Sequence, residues 1–243
     1  MLLNCDIGES YGAWTMGLDD QVMPFIDQAN IACGFHASDP LVMHNTVRLA
    51  LQHKVVMGAH PAYPDLQGFG RRSMLCSPEE IHAMVLYQVG ALGQIAAAQG
   101  GSLSYVKPHG ALYNDMMRNE KVLRAILGAL SQSTGKLALM AMTTANNGPL
   151  KALCAEYGVK LLLEAFADRA YDENGYIVSR NIAGAVHQDS DTILNQAVAI
   201  AHGRAIQTID GKSLSLEADT LCVHGDNPES IAAVKAIRQA LAA

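Results

Sequence analysis

The chain alternates between short apolar, β-rich runs and longer segments in which apolar positions recur with a helical period. The short runs predict strands near 2–6, 28–33, 55–59, 104–108, 136–142, 159–165 and 220–223, with helices between most of them. Two helix starts are written independently of the strands. Ser77-Pro78-Glu79-Glu80 and Asn227-Pro228-Glu229 each place a capping residue, a first-turn proline and an early acid ahead of an amphipathic run, predicting helices over 78–99 and 228–241. Such alternation implies a mostly parallel sheet, either closed into a barrel or open and doubly wound. Residues 205–217, AIQTIDGKSLSLE, break the pattern and predict a hairpin turning at Asp210-Gly211 as a surface excursion before the last strand.

Polar residues gather where the predicted strands end, and polar groups are too costly to bury by accident. The first strand leads into Asn4-Cys5-Asp6-Ile7-Gly8-Glu9, the second carries Asn30 and runs into Cys33-Gly34-Phe35-His36, and the third ends at His60-Pro61. The fourth gives Lys107-Pro108-His109-Gly110, the fifth is followed by Thr143, Thr144 and Asn146, the sixth carries Glu164 and then Asp168-Arg169, and the seventh ends at His224-Gly225-Asp226. In an open sheet only the strands beside the switch point share a site, whereas in a barrel every carboxyl-terminal strand end rings one mouth. Polar ends on all seven strands therefore favour an α/β fold closed as a TIM-like β/α barrel.

Composition narrows the function. A chain of 243 residues is long enough to bury roughly 70–75% of its unfolded surface in one core, so one barrel domain over 1–243 is expected. A net charge of −6 without a basic stripe argues against nucleic acid as a partner. Cysteines at 5, 33, 76, 154 and 222 are scattered and never spaced C-x-x-C, which suits a reducing compartment and a cytoplasmic location. No secretory signal opens the chain, and its longest stretch without Asp, Glu, Lys or Arg is broken by His82, Gln88, Gln94 and Gln99, so no membrane span is expected.

His44, His53, His82, His187 and His202 fall in or beside helical runs and read as ordinary solvated or half-buried imidazoles. His36, His60, His109 and His224 follow strands, and with Asp6, Glu164 and Lys107 they are the candidates for chemistry. A lysine at such a rim neutralises carboxylates or supports an oxyanion or phosphoryl group. Asp6, His60 and His109 are candidate ligands for zinc or another divalent ion, although no H-x-H or H-E-x-x-H fixes ligands on one element. Gly211-Lys212-Ser213 imitates the end of a phosphate-binding loop, but Ile206 stands where that loop needs glycine. No G-x-G-x-x-G opens a helix either.

NCDIGE at 4–9, ANIACGFHASDP at 29–40, GAHPAYPD at 58–65, GFGRR at 68–72, VKPHGALYN at 106–114, EAFADRAY at 164–171 and CVHGDNP at 222–228, taken in order, resemble the LamB/YcsF family across almost the whole chain. One departure is Ser38, where the family pattern has glycine. The resemblance implies a seven-stranded β/α barrel akin to the sugar deacetylases. It also implies opening of the lactam of 5-oxo-L-proline to L-glutamate coupled to ATP hydrolysis, shared with partner subunits B and C.

Lacking a nucleotide loop, this chain is expected to bind the lactam or its activated form while ATP is handled with the partners. On that footing Asp6 or Glu164 serves as general base and Lys107 meets developing negative charge. His36, His60 and His109 orient, transfer protons or ligate a metal. Arg71, Arg72 and Arg169 are candidates for the substrate carboxylate, with Asn4, His224 and Asp226 as further substrate contacts. Two alternatives are a stand-alone metal-dependent deacetylase or amidohydrolase, and a non-catalytic subunit that only binds substrate.

Overall fold

A computed structural model describes residues 1–225 and 228–242. Six strands, β1 (Leu2–Ile7), β2 (Gln28–Ala32), β3 (Val56–His60), β4 (Leu103–Val106), β5 (Ala138–Met142) and β6 (Leu161–Phe166), precede a hairpin of β7 (Ile206–Gln207) and β8 (Ser213–Leu214), and β9 (Thr220–Val223) follows. The closed barrel has the order β1-β2-β3-β4-β5-β6-β9 with every pairing parallel. β9 closes the ring by pairing with both β6 and β1. Each strand lies within two residues of its expected limits, and the hairpin stands outside the barrel as expected.

The helices are α1 (Asp19–Val22), α2 (Pro40–His53), α3 (Pro78–Ala98), α4 (Gly110–Arg118), α5 (Glu120–Gln132), α6 (Gly148–Glu156), α7 (Ser190–Ala201) and α8 (Pro228–Ala242). α3 begins at the cap expected at Ser77, which the structure completes as a capping box: its side chain accepts from the Glu80 N–H, and Glu80 accepts from the Ser77 N–H. The cap expected at Asn227 for α8 lies outside the described residues. By length and composition alone α3 is apolar enough to cross a membrane. It packs instead against α5, β3 and β4, burying Ile81, Val85, Val89, Leu92 and Ala96, while buried Gln88 bonds the Ala62 backbone.

Alternation along the strands separates two interiors. On β1, Leu3, Cys5 and Ile7 join the large apolar cluster between barrel and helices, whereas Asn4 and Asp6 bond to groups on other strands across the axis. Inside the ring a separate small cluster of Tyr105, Ala138 and Met140, with Leu162 against it, forms an apolar plug. Gly58 makes room for that plug. A Cβ there would collide with the Tyr105 ring, so the ring occupies the place of a side chain and reaches Asn30, to which its hydroxyl donates at 2.7 Å.

Candidate active site

Above the plug the barrel axis becomes polar. The Lys107 ammonium donates to Asp6 Oδ1 at 2.8 Å and to Asn4 Oδ1 at 3.3 Å, and lies 2.7 Å from Glu164 Oε1. Asn30 donates to both Asp6 Oδ1 (2.7 Å) and Asn4 Oδ1 (2.8 Å), while the Asn4 amide donates to the Thr220 hydroxyl. Burial favours neutral Asp6, yet His60 and the Lys107 ammonium hold its carboxyl well below the usual carboxylate range. Burial likewise opposes the Lys107 charge, but Asp6 and Glu164 hold the ammonium well above its ordinary pKa. The Cys222 thiol, 3.4 Å from Lys107 Nζ, is pushed up by burial and remains neutral. Asp6 and Lys107 are thus an ionised pair, with Asp6 Oδ2 left toward His60 Nε2 at 3.3 Å.

Beside this pair stands a cluster of imidazoles. His60 Nδ1 donates to the Lys107 carbonyl at 2.6 Å and His109 Nε2 to the Phe69 carbonyl at 2.9 Å. A carbonyl only accepts, so these partners fix which nitrogen of each ring carries its proton. The two remaining nitrogens, His60 Nε2 and His109 Nδ1, then face each other at 3.0 Å. Two neutral rings would oppose lone pair to lone pair, so the gap calls for an extra proton or a cation. His36 stacks on His109 with ring centroids 3.7 Å apart, and its Nε2 lies 3.2 Å from Glu9 Oε1. Burial first and the neighbouring imidazoles second push His36 and His109 well below the ordinary histidine pKa, keeping lone pairs available.

Glu9, His36, His60 and His109 offer ligand atoms that all lie within 4.8 Å of one another. Three imidazoles and one carboxylate suit zinc or a similar divalent ion, and distal nitrogens tied to backbone carbonyls are the outer support that metal-binding histidines show. The local chain is shaped to provide this. Phe69 adopts φ +54°, an uncommon conformation for a bulky residue, and aims its carbonyl at His109 while its ring packs edge-on against His36 and His109.

A cavity of about 950 Å3 opens over these groups at the carboxyl ends of the strands. Asp6, Glu9, His60, Lys107 and His109 line its floor, and Arg71, Arg118, Arg169, Arg180 and His224 line its walls. Arg71 lies over the Phe69 ring at 5.1 Å and has no acidic partner among the described residues; the same holds for Arg118 and Arg180 as regards ion pairs. Arg169 is buried and donates to the Ala185 and Val178 carbonyls. His224 Nδ1 pairs with Asp168 at 3.0 Å, where burial would raise the Asp168 carboxyl but His224 holds it below its usual range.

Several expected assignments change. Asn4 is fully buried in the barrel, bonding Thr220 and receiving Asn30 and Lys107, so it lies beneath the cavity and does not line it. Arg72 forks onto Asp65 outside the cavity, which leaves Arg71 as the member of that pair on the wall. Glu164 and His36 are buried behind the cavity surface, held respectively by Lys107 with Tyr113 and by Glu9 with His109. In the candidate metal group Glu9 and His36 stand with His60 and His109, whereas Asp6 Oδ1 is taken by Lys107 and Asn30. Asp226 lies outside the described residues.

Glu9 stands in the polar run after the first strand but is not singled out there, because only the left-handed turn at Gly8 (φ +72°) returns it to the mouth. Arg118 and Arg180 escape sequence reading because neither sits at a strand end. Tyr113, on α4, carries no signal beyond its place in VKPHGALYN.

Known proteins share both the sequence and this architecture. The sequence model of the LamB/YcsF family matches residues 1–243. A protein of Chromohalobacter salexigens, named as the A component of 5-oxoprolinase, is 60% identical over 98% of this chain and 96% of its own length. A Pseudomonas fluorescens protein of the same name is 61% identical over 99% of this chain and 96% of its own length. A crystal structure of a lactam utilization protein from Thermus thermophilus superposes with a TM-score of 0.91 at 40% identity, covering 99% of this chain and 95% of that one.

Proposed function

The chain belongs to the LamB/YcsF family, and from that membership and the geometry of its mouth we propose that it is the lactam-opening component of a 5-oxoprolinase. In this reading it converts 5-oxo-L-proline to L-glutamate together with partner subunits B and C, which supply ATP-dependent activation. The observation that carries the reading is the placement, on one cavity floor, of an ionised carboxylate paired with a buried ammonium beside a carboxylate and imidazole cluster.

A lactam carbonyl is a poor electrophile, and transfer of the terminal phosphoryl group of ATP to its oxygen makes water attack feasible. Water then adds at the ring carbon and gives its proton to a base, for which Asp6 is ionised and cavity-facing. That proton passes on to the ring nitrogen, and the C–N bond breaks with its electron pair going to nitrogen, leaving an amine and an acyl phosphate that a second water converts to carboxylate and phosphate. Lys107 keeps Asp6 ionised and adds positive potential beneath the reacting oxygen. Arg71 is suited to the substrate carboxylate, with Arg169 and His224 completing the wall. Glu9, His36, His60 and His109 would hold a divalent ion, which when bound supplies Lewis-acid polarisation.

The test is 5-oxoproline hydrolysis by this chain alone, by B with C, and by all three, with metal content measured on this chain. Glutamate formation that needs ATP and all three supports the proposal, and robust turnover by the isolated chain refutes it. The imidazole cluster favours one other reading, a metal-dependent amidohydrolase or deacetylase acting without ATP. That reading is supported by ATP-independent activity that chelation abolishes.

A further inference from the structure

Glu164 touches the cavity through an intermediary. Its side chain is fully buried, one carboxylate oxygen lies 2.7 Å from Lys107 Nζ, and the other accepts the Tyr113 hydroxyl at 2.7 Å. Tyr113 is the residue that lines the cavity, and its ring is braced edge-on by Phe166 with centroids 6.3 Å apart. A phenol has a single proton, and here it is committed to Glu164. Its oxygen therefore presents lone pairs, making Tyr113 an oriented acceptor beside the Asp6–Lys107 pair. Burial and the neighbouring Glu164 push the phenol well above its ordinary pKa, so it stays neutral and keeps that polarity.

Among the parts of a lactam, the oxygen and any carboxylate are acceptors, and the ring N–H is the donor. We propose that Tyr113 is a catalytic residue of ring opening: its phenol oxygen accepts a hydrogen bond from the ring N–H and holds the nitrogen as the C–N bond breaks. This rests on the lactam-opening reading above. The bond strengthens where the C–N bond breaks: the amine nitrogen of the water adduct takes up the proton that Asp6 removed from water, and the resulting ammonium is a far stronger donor than the amide N–H of the substrate. An interaction that grows along the reaction coordinate raises turnover and leaves substrate binding nearly unchanged.

The same contact governs how the activated species divides. After water has added, the ring carbon bears a hydroxyl, a phosphoryloxy group and the ring nitrogen. Loss of phosphate with the C–O electron pair returns the lactam and wastes one ATP, whereas loss of nitrogen with the C–N pair opens the ring. Tyr113, by favouring the protonated nitrogen as the leaving group, directs the intermediate toward opening.

The experiment uses the reconstituted complex at saturating ATP, with ADP and glutamate measured together in wild type and Tyr113→Phe. The substitution retains the ring and removes only the hydroxyl. Glutamate formation should fall about 100-fold, the usual scale for one positioned polar group, with KM for 5-oxoproline changed less than about threefold. The ADP-to-glutamate ratio should rise at least tenfold. Normal turnover, or a parallel fall of ADP and glutamate at unchanged ratio, overturns the proposal, since a structural defect lowers both together.

Because the single variant leaves a buried Glu164 oxygen without its donor, Tyr113→Phe is also paired with Glu164→Gln, which removes the stranded charge. The raised ratio should persist in the pair, and its return to the wild-type value overturns the proposal. Failure of the wild-type complex to form glutamate from 5-oxoproline with ATP would sink the underlying reading instead, and is seen before any variant is compared.

Discussion

The two sides of the barrel mouth are built on different principles. On the β1–β4 side, Asp6, Glu9, His36, His60, Lys107 and His109 lie on strand ends or the first residues beyond them, and each approaches another of the group within 3.7 Å. On the β6–β9 side, Arg169 and Arg180 ride on the long segment 167–189, and Arg180 is exposed, in no ion pair among the described residues but near enough to Asp168 to help hold its carboxyl down. Proton transfer and metal ligation tolerate errors of only a fraction of an ångström, and Asp6, His60 and Lys107 sit on or directly after strands that fix the backbone, with Glu9 and His36 on the short turns that follow β1 and β2. Recognition of a charged group tolerates more play and is carried by loops. In the proposed reading the chemistry falls to one side of the mouth and the holding of substrate to the other, with Arg71, on the loop after β3, joining the second task from the first side.

The largest effect that would break this division is at Asp6. Asp6→Asn in the reconstituted complex should lower turnover by about 10²–10⁴-fold, the range for a positioned general base, while thermal unfolding stays cooperative. Turnover within a few-fold of wild type would remove Asp6 from the chemistry and with it the contrast between the sides. Lys107→Met should act on stability as well as turnover. It leaves Asp6 and Glu164 without their shared cation in a buried setting, and breaking such a pair costs about 3–5 kcal/mol. Denaturant unfolding checks this, and an unchanged midpoint would show that the carboxylates do not depend on the ammonium.

The opposite side should answer differently. Arg180→Gln, and Arg71→Gln as the crossing residue, should raise KM for 5-oxoproline about tenfold, with kcat changed less than about threefold, because they hold substrate uniformly through the reaction. Steady-state kinetics of the complex separates these cases. A large fall in kcat at unchanged KM would place the arginines in the chemistry and erase the distinction.

This asymmetry also explains which residues the sequence alone discloses. Strand ends follow from hydrophobic pattern, so Asp6, His60, Lys107 and His109 are recoverable from a sequence that places polar residues directly after apolar runs. Glu164 is legible for the same reason, but period-two alternation says only that it faces the axis, and whether it meets the cavity depends on Tyr113 lying above it. Arg72 and Arg71 are adjacent and chemically identical. Only the turn at 65–72, where Asp65 captures Arg72, decides between them. Asn4 reads as a rim residue until the barrel's depth is known, since a single pair of residues along β1 separates the polar floor from the mouth.

The smallest effect concerns Ser38, in the loop that carries His36. Glycine is what the family resemblance leads one to expect here, and the structure gives a physical reason: Ser38 takes φ +75°, a left-handed conformation in which a Cβ crowds the backbone. Its side chain is fully buried, and its hydroxyl has no hydrogen-bond partner among the described residues. Ser38→Gly removes the backbone strain, worth about 1–2 kcal/mol, together with an unpaired hydroxyl of about 1 kcal/mol or more. Against this stands the extra freedom glycine gives the unfolded chain, about 0.5–1 kcal/mol.

The balance predicts a gain of about 1–2.5 kcal/mol, at about 2–4 °C in thermal midpoint per kcal/mol for a chain of this length. Because the Ser38 N–H still donates to the Ser10 carbonyl, the path of the loop is kept and turnover should not change. Differential scanning calorimetry with a parallel activity assay checks both halves. A loss of stability would mean that the hydroxyl finds a partner in solution. A fall in turnover at raised stability would mean that strain in this loop helps to set His36 against Glu9, bringing the chemistry side of the mouth under the same loop control as the other.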